Sequence, residues 1–271
     1  MYLYCSDLID LSTGLPNRMN DSQSSAFYEE LAGRYDAMAR FSDRLEAEKK
    51  ALAVWQQKLG CRIVTDVGCG TGLHAIALAQ LGLSVTAVDP APAMLRAAAE
   101  NAKANGVELT LLQVPMQSLH RSLSQEQDAV FCLGNTLPHL LNKRSLYAGL
   151  KSAHRSLRRG GALVLQLLNY QQVLAKKQRI VQVSRAGETL FVRFYDFLDN
   201  AVRFNVLIAE TGAVPPSHRL ISTRLRPYGQ AQLKAALRDC GFSSLECYGA
   251  LSQQPYQPAG ANLVLCAYKR R

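Results

Sequence analysis

One stretch limits what this chain can become more than any other, residues 62–89. Ile63, Val64, Thr65, Asp66 and Val67 make a short, nearly continuous apolar run of the kind that fills a buried parallel strand. Gly68, Cys69, Gly70, Thr71 and Gly72 follow at once, a turn that bares its backbone to a ligand. Residues 73–81 are rich in alanine and leucine and read as a helix. Residues 85–88 read as a second strand, which closes on Asp89.

Asp89 stands about twenty positions after Gly68, where a doubly wound fold places the acid that accepts hydrogen bonds from a ribose. That spacing predicts an adenosine-type ligand. The dinucleotide fingerprint asks for a glycine at position 73, which is Leu73 here, and the glycines instead follow Asp66. A pyrophosphate sits poorly beside that upstream carboxylate, whereas a ligand with an ammonium and no phosphate suits it. S-adenosylmethionine meets these terms, its ammonium toward Asp66 and its ribose diol at Asp89.

DVGCGTG, with VDP further on, resembles motifs I and II of the class I S-adenosylmethionine-dependent methyltransferases. The resemblance implies an α/β, doubly wound, Rossmann-like seven-stranded sheet. It sets the cofactor against Asp66, Gly68, Cys69, Gly70, Thr71, Gly72, Asp89 and Pro90, with Met94 on the helix that follows. A third strand, over 108–114, ends in Pro115, Met116 and Gln117, where the family usually offers an acid and then an apolar residue to adenine. With Pro115 in the acid's place, the adenine edge is left to Gln117 or backbone, and Met116 walls the ring.

The length, 271 residues, suits one α/β domain with a substantial insertion. Three parts are expected: a polar, mobile extension over 1–22, a helical N-terminal cap over 23–60, and a core over 61–271 in which 178–225 is an inserted antiparallel substrate lid. Ser24 or Ser25 caps a first helix beginning near Phe27, and a second helix over 43–58 packs Leu45, Leu52 and Trp55. This stretch resembles the cap of small-molecule methyltransferases, in which an aromatic and an arginine reach the methionine moiety. Tyr28 or Tyr35, and Arg44, are the matching residues.

A fourth strand, over 128–133, runs straight into Gly134, Asn135, Thr136, Leu137, Pro138 and His139. Ligands of open parallel sheets bind outside the carboxyl ends of the strands, so this loop faces the reacting methyl group, with Leu133 and Gly134 at the cofactor. The loop departs from the [DNS]PP[YFW] run of enzymes that methylate exocyclic amines of bases, and is similar to the LGNSxxHL stretch of glycine and sarcosine N-methyltransferases. Asn135 is then placed to orient an amine. His139 either takes a proton from the acceptor or serves as a satisfied histidine before the next helix. That helix, over 143–158, is read as ended by Gly160, with Arg155, Arg158 and Arg159 on its C-terminal dipole.

A fifth strand, over 162–168, leads to Asn169 and Tyr170, which correspond to an Asn-Tyr pair of the same N-methyltransferases. One residue earlier those enzymes carry an arginine for the acceptor's carboxylate, and this chain has Leu168, which cannot make a bidentate pair. Glycine is therefore not the expected acceptor. Strand-like alternation over 180–225 resembles the antiparallel lid, and Arg226 and Tyr228 lie at the mouth of the same cavity. The last strands, 244–248 and 262–268, suit an antiparallel finish.

Charge opens a second reading. The formal charge is +10, and between Asp128 and Glu188 there are ten Lys or Arg and no acid. The expected activity is methyl transfer to a small molecule, first an amine nitrogen; a tRNA or other nucleic-acid methyltransferase using the stripe 143–185, and a non-catalytic S-adenosylmethionine-binding protein, are the alternatives. Seven cysteines without a CxxC pair predict reduced thiols and no metal. With no apolar run near the ~18 residues of a membrane span and acids in MYLYCSDLID, a cytoplasmic protein off the membrane is expected.

Overall fold

The computed structural model describes residues 18–270, with side chains from Ser24 onward; residues 1–17, which hold most of the extension expected over 1–22, lie outside the described residues. The chain begins with α1 (Arg18–Ala39) and α2 (Phe41–Leu59), which meet at a left-handed Arg40 (φ 57°). Helix α1 starts well before Phe27, because the polar run RMNDSQSS has no glycine or proline to stop it.

The core then alternates: β1 (Ile63–Val67), α3 (Leu73–Gln80), β2 (Ser84–Val88), α4 (Pro92–Ala104), β3 (Thr110–Leu112), the short α5 (Leu119–Ser122), β4 (Gln127–Cys132), α6 (Lys143–Ser156) and β5 (Leu157–Leu168). After α7 (Tyr170–Lys176) come β6 (Ile180–Ala186), β7 (Thr189–Phe197), β8 (Val202–Glu210) and β9 (Ser217–Leu225), then α8 (Gln230–Asp239), β10 (Phe242–Tyr248) and β11 (Asn262–Lys269). The main sheet has seven strands in the order β10-β11-β5-β4-β1-β2-β3, and β11 alone runs antiparallel to both neighbours. Strand β1 pairs with β2 on one side and β4 on the other, so the order reverses there and a crevice opens beyond the carboxyl ends of these strands.

Strand β5 begins at Leu157, so Arg158, Arg159 and Gly160 belong to it and do not end the preceding helix as their composition suggested. A long-range partner decides this. Asp128 accepts from Arg158 Nε at 2.5 Å and from the backbone N–H groups of Arg62 and Ile63, which ties β5 to β1 and β4. The same pair takes Arg158 out of the basic stripe, as Asp196 does for Arg179 at 2.7 Å.

Strands β6 to β9 form a separate four-stranded antiparallel sheet. Helix α1 lies between this lid and the core. Its Phe27, Leu31 and Met38 pack on Phe191, Val206, Ile208 and Ile221 of the lid, each such side chain contributing about 2 kcal/mol on burial. Toward the core, Glu29 accepts from the Ala93 N–H at the start of α4 (2.9 Å), and Asp36 accepts from Asn101 Nδ2 (2.8 Å). Among the described residues no helix is long and apolar enough to cross a membrane.

Candidate active site

The glycine turn after β1 is pinned to β2, since the N–H groups of Gly68 and Cys69 both donate to the Val88 carbonyl, at 2.7 and 3.1 Å. Gly68 has φ 69°, and a Cβ there would run into the Thr136 side chain, so the turn and the loop after β4 can approach only if residue 68 has none. At Gly70 (φ 55°) the space a Cβ would take is open. Here a ligand can lie against bare backbone.

Asp89 closes the crevice. It accepts from the N–H groups of Gly70 (3.0 Å) and Ala91 (2.9 Å), yet a carboxylate keeps further lone pairs for a ligand's hydroxyls. Burial pushes its pKa up to about 6 against the pull of those two bonds. Asp66 is likewise raised to about 6 by burial, with His74 opposing, and its Oδ2 has no partner. It lies beneath the turn and not on the cavity wall, so an ammonium reaches it only at a distance.

Helix α1 roofs this first cavity, which holds about 150 Å³. Its wall includes Tyr28, Tyr35, Arg44, Gly68, Cys69, Gly70, Thr71, Asp89, Pro90, Leu133 and Gly134, all expected there, together with Ser24 and Thr136. Arg44 is held by Glu48 at 2.8 Å, and the far oxygen of Glu48 stands 3.5 Å from His74 Nε2. Burial would raise Glu48, but the nearby His74 ring and the bond with Arg44 prevail and hold it at about 2. Other expected cofactor residues stay out of the cavity. Gly72 allows close packing against Ala98, Met94 is wholly buried in the core, and Met116 packs against Gly149. Gln117 sits in a short 3-10 turn off the wall.

A second cavity of about 310 Å³ adjoins the first and shares Tyr28, Tyr35, Arg44, Gly134 and His139 with it. On the core side are Asn135, Gln166 and Leu168; from the lid come Arg193, Tyr195, Phe204 and Leu225. Asn135 is left-handed (φ 70°), a conformation asparagine tolerates, and its amide is fixed: Nδ2 donates to Tyr170 Oη (3.0 Å) and Oδ1 accepts from the Leu168 N–H (3.2 Å). Tyr170 thus stands behind Asn135 instead of touching a ligand.

His139 reaches both cavities, but its ring is occupied. Tyr28 Oη lies 2.9 Å from Nε2 and Ser24 Oγ 3.1 Å from Nδ1, and burial pushes its pKa down to about 4. A neutral ring with both nitrogens bonded clasps α1 to the loop after β4 and has no site left for an acceptor's proton. Three further expected substrate residues do structural work. Asn169 donates to the carbonyls of Pro258 (2.9 Å) and Gly260 (3.0 Å), Arg226 to that of Asn200 (2.7 Å), and the hydroxyl of Tyr228 to that of Leu140. Burial raises the Cys69 and Cys132 thiols, in keeping with packing roles.

Arg193 and Tyr195 went unnoticed in the sequence. Their signal is period two along β7, where Phe191, Arg193 and Tyr195 share one face.

Residues 64–161 match the family described as a methyltransferase domain. A glycine/sarcosine N-methyltransferase of Parasynechococcus marenigrum is 33% identical over 157 residues, which are 58% of this chain and 56% of the relative. The chain thus spans little more than half the length of that relative. A glycine/sarcosine N-methyltransferase of Aphanothece halophytica is 23% identical over 89% of this chain and 88% of its own. Among solved structures, an S-adenosylmethionine-dependent methyltransferase from Clostridium acetobutylicum superposes with a TM-score of 0.77 at 15% identity, covering 90% of this chain and 99% of that one, a likeness of fold.

Proposed function

We propose that the chain, whose residues 64–161 match a methyltransferase domain, is an S-adenosylmethionine-dependent methyltransferase that methylates the nitrogen of a small-molecule amine. The observation that carries the reading is the meeting of the two cavities at Gly134, beside the fixed amide of Asn135. The residues of the first cavity fit the donor: bare backbone at Gly70, a carboxylate at Asp89 for a ribose diol, and the Arg44 guanidinium for a carboxylate. When bound, S-adenosylmethionine supplies an activated methyl group: the amine's lone pair forms the N–C bond while the C–S bond breaks and its electron pair passes to sulfur.

The protein's part is position and exclusion of water. Alignment of acceptor and methyl accounts for about 7 to 11 kcal/mol of such barriers. Asn135 Oδ1 holds the Leu168 N–H, with the Tyr170 hydroxyl at 3.3 Å as its weaker second partner; an amine N–H that takes over this second position turns the nitrogen's own lone pair toward the donor. The amine enters unprotonated, and the proton it sheds after transfer goes to solvent.

Calorimetric titration with S-adenosylmethionine, wild type against Asp89→Ala, tests the donor site, and methyl-labelled donor with a panel of amines, phenols and tRNA tests the acceptor. Micromolar binding lost in the variant, with label on an amine, is the expected result. Binding indifferent to Asp89, or label only on tRNA, would sink the reading.

A further inference from the structure

Arg193 is the cation of the second cavity that nothing neutralises. It rises from the middle of β7 with Tyr195 on the same face, and its Nε is buried without a hydrogen-bond partner. Among the described residues no acid pairs with its guanidinium. The groups that act on it are the hydroxyls of Tyr35 and Tyr195 and the positive charge of Arg44, which already has Glu48. Three arginines of the lid and of α1 find acids, Arg34 with Glu210, Arg179 with Asp196 and Arg219 with Glu30, and the lid arginines that do not, Arg185, Arg203 and Arg224, lie off the wall of this cavity. A guanidinium does not lose its proton in a protein, so its charge persists where burial disfavours it. A half-buried cation with no acid beside it, facing a cavity, leaves its charge and its fork of donors for an anion that enters from outside.

The rest of the cavity says what carries that anion. The wall is mixed, with Phe27, Leu31, Leu168, Phe204 and Leu225 supplying its apolar part, and the volume of about 310 Å³ would be left largely empty by an amine of glycine's size. The fixed amide of Asn135 stands on the core side, and Arg193 comes from the lid.

We propose that Arg193 receives the carboxylate of the methyl acceptor, and that the acceptor is an amino acid-like amine whose apolar body is larger than that of glycine. This rests on the methyltransferase reading and adds the chemical class of the acceptor to it. A planar carboxylate matches the guanidinium fork in a bidentate pair, and such a pair leaves the amine in the cavity that Asn135 also lines.

The probe is benzoate, a carboxylate on an apolar body, with benzamide as its uncharged counterpart, titrated into protein saturated with S-adenosylhomocysteine. Binding is read by calorimetry and thermal shift in wild type, Arg193→Met and Arg193→Lys. Benzoate is expected to bind and stabilise the wild type, benzamide not; Arg193→Met should weaken benzoate by about thirtyfold, a charged hydrogen bond's worth, and Arg193→Lys by less. Should Arg193→Met fail to fold, the comparison of Arg193→Lys with wild type, benzoate against benzamide, decides alone. No benzoate effect in the wild type, or an equal one in the variants, overturns the proposal, as does loss of S-adenosylhomocysteine binding on Arg193→Met, which would give Arg193 to the donor. Failure of S-adenosylhomocysteine to bind the wild type is a separate result, which strikes the methyltransferase reading itself.

Discussion

At Asp89 and His139, burial acts on an acid and a base with opposite results. Asp89 is raised to about 6, so it is about nine-tenths protonated at pH 5, and a protonated carboxyl keeps less capacity to accept a ribose diol. The affinity for S-adenosylmethionine should fall about tenfold between pH 7.5 and 5, and calorimetry on Asp89→Asn should find that slope flattened. A slope unchanged in the variant would assign it to Asp66, which shares the value. His139 is held near 4, below its ordinary 6.5, so its contribution is complete above pH 6.5 and is lost as pH falls toward 4. Urea unfolding at pH 7 and 5 should therefore show His139→Asn losing about 2 kcal/mol less than wild type over that interval. Equal losses would mean that the ring is protonated within the folded protein. Asp89 was legible because its distance from the glycine turn is fixed by the length of one strand-helix-strand unit. Arg193 was not, because one cation in an alternating strand looks the same whether it faces a cavity or water.

Helix α1 shows how an element gets its place from partners that local sequence does not name. The clasp of Tyr28 on His139 joins residues 111 positions apart, and Asp36 meets Asn101 across 65. Tyr28→Phe removes one bond and leaves the ring; with a neutral hydrogen bond worth about 1 kcal/mol, S-adenosylhomocysteine should dissociate about fivefold faster in stopped flow. An unchanged rate would show that α1 does not hold the roof down. The four lid strands were legible to within a few residues, since period two and the Asp199-Asn200 turn are local signals. The beginning of β5 was not. Arg158, Arg159 and Gly160 carry helix-ending composition, and only the distant Asp128 makes them strand.

Taken as one molecule, the core and the lid are two sheets with a common helix between them, so a ligand in the core's crevice should be felt in the lid. The single tryptophan, Trp55 of α2, is fully buried and donates to the Leu251 carbonyl, which makes its fluorescence a report on the core. S-adenosylhomocysteine at a hundred times its dissociation constant should stabilise that core by about 2.7 kcal/mol. Hydrogen exchange should then slow in β7 and β8 as well as in α3 and α4; protection confined to the core would show that α1 transmits nothing. The seven-stranded sheet was legible from one motif because its topology leaves so few ways to continue. The junction of the cavities was not, since three separate parts of the chain build it.

The two cavities differ in their borders. Ser24, Ser25 and Tyr28 of α1 border the first, while Phe27, Leu31 and Met38 of the same helix border the second, whose wall also includes Val181, Gln182 and Asn262 from outside α1. With the donor placed under α1 as proposed above, steady-state kinetics should show an ordered mechanism, the by-product competing against the donor alone; competition of the by-product against the acceptor as well would refute that order.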